Sequence, residues 1–253
     1  MKQIPLITIL MVLLAGCAGA ASRLTPPATA ACQQPGTTKT DKVFFPESGE
    51  LHTFSVYLPP CYAEAIHSAY PVLYWTSAGG TGIFGTVDRL IRAGDTPAFI
   101  AISVDIDPNK GYGADAEIVA DVVPYVDAHY RTRADRLHRS ITGFSHGAAI
   151  AARAAFRAPA VFGRLAVLSG GIADGEQEKF TAWVAAMRPG QRPAVLIDVG
   201  KQDGVSVLTH YLTALLDKLH FPYTFIEDPG NHHTENSDSH FPDYLKWLMP
   251  TQQ

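Results

Sequence analysis

The stretch Ile141-Thr142-Gly143-Phe144-Ser145-His146-Gly147-Ala148-Ala149 narrows the choice of fold more than any other part of the chain. It sets Gly-x-Ser-x-Gly between Leu137 to Ile141, which reads as a short strand, and Ala148 to Phe156, which reads as a helix. A serine at such a turn is held in a tight backbone conformation that lifts its hydroxyl clear of the sheet. Glycines on either side let backbones approach where a side chain would crowd them. The first amides of the helix point at whatever is attached to Ser145, which favours a negative charge forming there. The five-residue pattern alone is a weak signal. The strand before it and the helix after it give it weight.

The rest of the chain agrees with a strand-turn-helix alternation. Leu51 to Leu58 alternates and is closed by Pro59-Pro60; Tyr70 to Thr76 and Ala98 to Val104 are apolar nearly throughout, as buried strands are. Ala114 to His129 puts Ile118, Val119, Val122, Val123 and Val126 on one helical face, with a kink expected at Pro124. After the elbow, Leu165 to Ser169, Ala194 to Val199 and Tyr223 to Ile226 read as strands. Glu176 to Met187, Val205 to Leu219 and Phe241 to Met249 read as helices. The alternation predicts an α/β fold: one domain, residues 40–253, built on a mostly parallel sheet with helices on both faces.

The N-terminus has a different character. Lys2, the apolar run Ile4 to Leu14 and the small residues up to Gly16 read as a targeting segment, residues 1–16, too short to span a membrane as a helix. Leu14-Ala15-Gly16-Cys17 resembles the lipobox of bacterial lipoproteins, in which the cysteine is acylated. That resemblance implies lipid on Cys17 and attachment at the cell envelope, with Ala18 matching the outer-membrane sorting pattern. Residues 17–39 are rich in Ala, Thr and Pro and read as a flexible tether. In an oxidising compartment, Cys32 and Cys61 form a candidate disulfide between the tether and the first hairpin, with two free thiols as the alternative. A net charge of −4 without charged runs argues against a nucleic-acid partner, and any membrane contact is expected through the lipid alone.

A serine hydroxyl needs a base to become nucleophilic, and the base needs an orienting acid. Asp203, in Gly200-Lys201-Gln202-Asp203-Gly204 just past a strand, is the candidate acid. Asp198 competes for that role but lies within the strand, and a helix-capping role is open to Asp203 as well. His232 and His233 both come after the strand ending at Ile226 and both qualify as base; His240 reads as a cap or surface residue at the start of the last helix.

From Tyr70 to Trp247 the chain resembles the putative-esterase family of α/β-hydrolases. The resemblance rests on Tyr70-Pro71-Val72-Leu73-Tyr74, on Gly113-Ala114-Asp115 through Val123-Pro124-Tyr125-Val126, and above all on Tyr130-Arg131-Thr132 through the elbow to Leu168-Ser169-Gly170-Gly171. It implies a serine esterase acting through an acyl-enzyme on a small-molecule ester, with no cofactor and no metal. By distance from Phe241-Pro242 it favours His232 over His233. The family has His-Gly where this chain has Ser77-Ala78-Gly79, so the implied oxyanion donors are backbone amides at Ala78 or Gly79 together with that of His146. The polar Asn236-Ser237-Asp238 replaces an aromatic residue usual in the family. Siderophore, phenolic and acetylated-glycan esters all fit an envelope location.

Three other readings stay open. His232, His233, Glu235, Asp238 and His240 are the right residue types for zinc, though without a recognised spacing. The fold can serve a lipoprotein that only binds a ligand or partner. The same triad can pass its acyl group to an alcohol instead of water.

Overall fold

The computed structural model describes residues 32, 34–45, 49–77, 81–107, 111–232 and 234–251. The expected signal segment, Cys17, Ala78, Gly79 and His233 therefore lie outside the described residues, as does the expected tether up to residue 31.

Eight strands form one sheet in the order β1-β2-β4-β3-β5-β6-β7-β8. They are β1 (Thr37–Phe45), β2 (Glu50–Leu58), β3 (Val72–Ser77), β4 (Ile100–Asp105), β5 (Arg139–Phe144), β6 (Arg164–Leu168), β7 (Ala194–Gly200) and β8 (Thr224–Asp228). The first two pair antiparallel with each other, β2 pairs antiparallel with β4, and every other pairing is parallel. The helices are α1 (Phe84–Ala93), α2 (Ala114–Glu117), α3 (Val123–His129), α4 (His146–Arg157), α5 (Gln177–Ala186), α6 (Ser206–Lys218) and α7 (Thr234–Leu248).

Alternation along each strand sorts the apolar side chains onto the two faces. Val72 and Tyr74, Ile100 and Ile102, Leu165 and Val167, Val195 and Ile197 join α3, α4, α5 and α6 in one buried cluster. Their neighbours Leu73 and Trp75, Ala101, Ala166 and Leu168, and Leu196 face α1 and α7 in the other. The elbow helix α4 is alanine-rich because it lies against the middle of the sheet, where Ala148, Ala151, Ala152 and Ala155 are fully buried. Arg153 on its far side pairs with Asp115 and Glu176, tying α2 and the start of α5 to it.

Three sequence expectations need correction. Residues 37–39, assigned to the tether, belong to β1, where Lys39 pairs with Val56. An edge strand buries little, so Thr37-Thr38-Lys39-Thr40 shows no apolar alternation to betray it. The single helix expected over Ala114 to His129 is interrupted: a π-helical turn, Ile118–Val122, stands between α2 and α3 just before Pro124, with the Val123 amide bonding to the Ile118 carbonyl five residues back. The last helix begins at Thr234, not Phe241, so His240 sits inside it and not at its cap. The sulfurs of Cys32 and Cys61 are joined, linking the chain just before β1 to the chain just after β2, with Cα atoms 5.8 Å apart.

Candidate active site

The sheet order reverses at β3, whose neighbours β4 and β5 leave in opposite directions, and such a reversal opens a crevice at the carboxyl ends of the strands. Ser145 stands there, between β5 and α4, at φ 56° and ψ −122°. That conformation is unfavourable for any residue with a side chain and costs on the order of 1–3 kcal/mol. The surroundings hold it in place. The Ser145 amide donates to the Leu168 carbonyl at 3.0 Å, and the Ser145 carbonyl accepts from the Ala148 amide at 3.0 Å. Thr76, a buried polar side chain near the end of β3, donates its hydroxyl to the Gly147 carbonyl at 2.7 Å. A Cβ on Gly143 would lie 2.5 Å from the backbone of both Thr76 and Gly147, so only glycine allows the two strands and the helix to close at this point.

The candidate acid and base arrive on the loops after β7 and β8. These loops are stitched together. The Gln202 amide donates to the Gly230 carbonyl, the Gly230 amide donates to the Gln202 side chain, both at 2.7 Å, and a Cβ on Gly200 would strike the Gly230 carbonyl at 2.4 Å. The stitching brings His232 Nε2 to 2.9 Å from Ser145 Oγ and His232 Nδ1 to 3.0 Å from Asp203. A carboxylate can only accept, so Nδ1 carries the hydrogen and Nε2 presents its lone pair to the serine hydroxyl. Phe144 stacks on the imidazole at 5.0 Å between ring centres, fixing the orientation of the ring. The Asp203 side chain is fully buried, whereas that of His232 retains 32% of its surface, enough for a substrate to reach the ring. Asp203 also accepts the Val205 amide at 2.8 Å, so its two candidate roles, acid and cap, coexist.

The competing residues are engaged elsewhere. Asp198 points to the α7 face and pairs with the Tyr244 hydroxyl. Burial pushes its carboxyl above the ordinary aspartate range, against the opposing pull of Tyr244 and His240. Burial and the Asp198 carboxylate in turn keep the Tyr244 hydroxyl protonated far beyond the usual tyrosine range. His240 contacts the Tyr244 hydroxyl at 3.1 Å. Of the five residues named for zinc, His232 and His240 thus have other partners, and His233 and the side chains of Glu235 and Asp238 lie outside what the structure describes. Trp75 is buried edge-on against Phe241, and Phe84 lies in the same cluster. Of the residues expected to donate to an oxyanion, Ala78 and Gly79 lie outside the described residues, while His146 opens α4, where the first amides have no partner within the helix. Its imidazole donates from Nε2 to the Gly111 carbonyl at 3.1 Å and stacks on Tyr112.

Thr76, Gly200, Gln202 and Phe144 were not singled out from sequence. A polar residue ending a buried strand beside the elbow was the available signal for Thr76; the others depend on loop contacts that no local pattern reports.

Residues 47–209 match the family model described as Putative esterase. The chain belongs to that family. It is a family of carboxylic-ester hydrolases, and the endo-1,4-beta-xylanase/feruloyl esterase of Xylanibacter ruminicola is 28% identical to this chain over 153 residues. That overlap covers 51% of this chain and 21% of the relative, so the chain spans about a fifth of that protein's length. A mutant of the feruloyl esterase module from Clostridium thermocellum, complexed with sinapinate, superposes with a TM-score of 0.74 at 17% identity, covering 88% of this chain and 92% of the module. A ferulic acid esterase from Anaeromyces mucronatus in complex with ferulic acid gives 0.72 at 19%, covering 85% and 91%. The S-formylglutathione hydrolase of Staphylococcus aureus gives 0.67 at 16%, covering 85% and 99%. At such identities the likeness is one of fold, and the fold is that of the α/β-hydrolases.

Proposed function

We propose that this member of the esterase family is a serine carboxylic-ester hydrolase with Ser145 as nucleophile, His232 as general base and acid, and Asp203 as the residue that orients and stabilises the imidazolium. One observation carries the reading: a serine in a strained turn has its hydroxyl 2.9 Å from an imidazole nitrogen whose other nitrogen meets a buried carboxylate. Ser145 Oγ attacks the ester carbonyl carbon as its proton passes to His232 Nε2. The carbonyl oxygen takes the negative charge and accepts the His146 amide, with a second amide donor assigned to Ala78 or Gly79. Collapse of the tetrahedral adduct releases the alcohol, protonated by His232, and leaves an acyl group on Ser145. Water then repeats the sequence and frees the acid.

For substrate we favour phenolic esters over siderophore and acetyl-glycan esters. The support is the recurrence of feruloyl esterases among the relatives and neighbours, two of the latter holding ferulic acid or sinapinate. The proposal also puts lipid on Cys17 and the catalytic domain at the bacterial envelope, on the motif Leu14 to Cys17. The test is a hydrolysis screen of methyl ferulate, a catecholate siderophore ester and an acetylated xylan, with Ser145→Ala run in parallel. Hydrolysis of methyl ferulate above the other two, absent from the variant, supports the reading; release of acid that Ser145→Ala leaves unchanged contradicts it.

A further inference from the structure

At the opposite end of the sheet from Ser145, a cavity of about 360 Å³ opens at the amino ends of β3, β4 and β5, against the last turn of α7. We propose that it is a binding site for an amphipathic monocarboxylate, a small anion with an apolar body. The apolar part of the cavity is set by Tyr70, Pro71, Ala98, Leu248 and Met249. At its rim Leu137 is 71% exposed, more than any other large apolar side chain among the described residues, with no packing role to account for it. The volume falls within the range of small-molecule sites, toward the small end.

Arg133 supplies the charge. Four arginines crowd the segment from 131 to 139, and three are committed. Arg131 bonds to the Tyr62 carbonyl and covers its ring, Arg136 donates to the carbonyls of Pro159, Gln191 and Arg192, and Arg139 pairs with Asp127. The guanidinium of Arg133 makes no hydrogen bond or ion pair with any described residue. The nearby Asp135 accepts from the His138 ring at 2.6 Å and from the Leu137 amide at 2.9 Å and forms no ion pair with Arg133. A planar guanidinium without a partner among the described residues, on a residue that lines an apolar pocket, suits a carboxylate bidentately. β5 joins the two ends: Ser140 lines the cavity and Ser145 comes directly after the strand's last residue, roughly 17 Å away by strand rise.

Octanoate and cinnamate, an alkyl and an aryl carboxylate, are titrated into the full-length protein by calorimetry, with octanol as the uncharged control. Wild type should bind at least one carboxylate saturably. Arg133→Ala should weaken that binding about tenfold or more while leaving octanol unaffected. Ala98→Phe, which fills the cavity, should abolish it. Binding of octanoate alone identifies an alkyl ligand, and of cinnamate alone an aryl one; either supports the site. Arg133→Ala is a partly exposed position whose unchanged hydrolysis of a short neutral ester reports folding, so it carries the test if Ala98→Phe fails to fold. No saturable binding of either carboxylate, or binding that Arg133→Ala leaves intact, overturns the proposal.

Discussion

Both oxygens of Asp203 lie 3.0 Å from His232 Nδ1, and Oδ1 also accepts the Val205 amide at 2.8 Å, so a single buried carboxylate orients the imidazole and closes the turn into α6. The two functions separate on substitution. Asp203→Asn keeps an oxygen for Val205 but loses the charge facing the imidazolium and the preference for the productive tautomer. We expect kcat to fall about 10³- to 10⁴-fold with little change in thermal stability. Asp203→Ala should add a stability loss of about 1 kcal/mol from the missing cap. Steady-state kinetics with thermal melts of both variants check this; equal loss of stability in the two would contradict the division.

Gly200 sets how closely the acid loop and the histidine loop approach. A methyl group there meets the Gly230 carbonyl at 2.4 Å, and backbone cannot yield as a side-chain tip can. Gly200→Ala should push His232 out of reach of Ser145 and cut kcat by about a hundredfold, since small misplacements of a catalytic group carry costs of that order. A crystal structure of the variant should show the Ser145–His232 distance lengthened; unchanged kinetics would contradict the stitching argument.

Asp198 makes stability depend on pH. Its carboxyl is raised above the ordinary 3.8, mainly by burial, so the folded protein holds that proton more tightly than the unfolded chain does. The contribution is fully present below the ordinary value and is lost as pH rises through the raised one. At neutral pH the fold therefore carries a buried carboxylate at a cost that Asp198→Asn removes while still offering Tyr244 an oxygen. The variant should melt above wild type at pH 7, with the gap closing as pH approaches ~4, and should keep its activity. A gap independent of pH would contradict the assignment.

The Cys32–Cys61 bond spans 29 residues and includes the whole β1–β2 hairpin. Loop-closure entropy of that length corresponds to about 3–4 kcal/mol. Cys61→Ser should lower stability toward denaturant by that order without altering kcat in protein that remains folded, because neither cysteine belongs to the cleft.

The elbow could be read from sequence because its constraints are local: a turn between a strand and a helix that only glycine-flanked serine satisfies. Asp203 was readable because it stands just past a strand end; the loop after β8 offered both His232 and His233, and only the resemblance to the esterase family favoured His232. Other features are set by contacts between distant residues. β1 is held by its ladder to β2, not by apolar periodicity, so Thr37 to Lys39 looked like linker. The first two turns of α7, Thr234 to Ser239, are polar and lack periodicity, and a helix there depends on the packed turns from Phe241 to Leu248 that extend it. The same applies to Phe144 against His232 and Thr76 against Gly147: each is a single contact between segments that come together only in the folded sheet.

A fluorophosphonate bonds covalently only to an activated hydroxyl, so it reports whether His232 makes Ser145 nucleophilic. Intact-mass measurement after incubation at neutral pH should show one adduct on wild type, located at Ser145 by peptide mapping. Ser145→Ala should take up none, and His232→Ala should react at least a hundredfold more slowly, on the order of the loss expected when the base is removed. Well-folded wild type that takes up no label, or that labels equally with His232 replaced, would contradict the account.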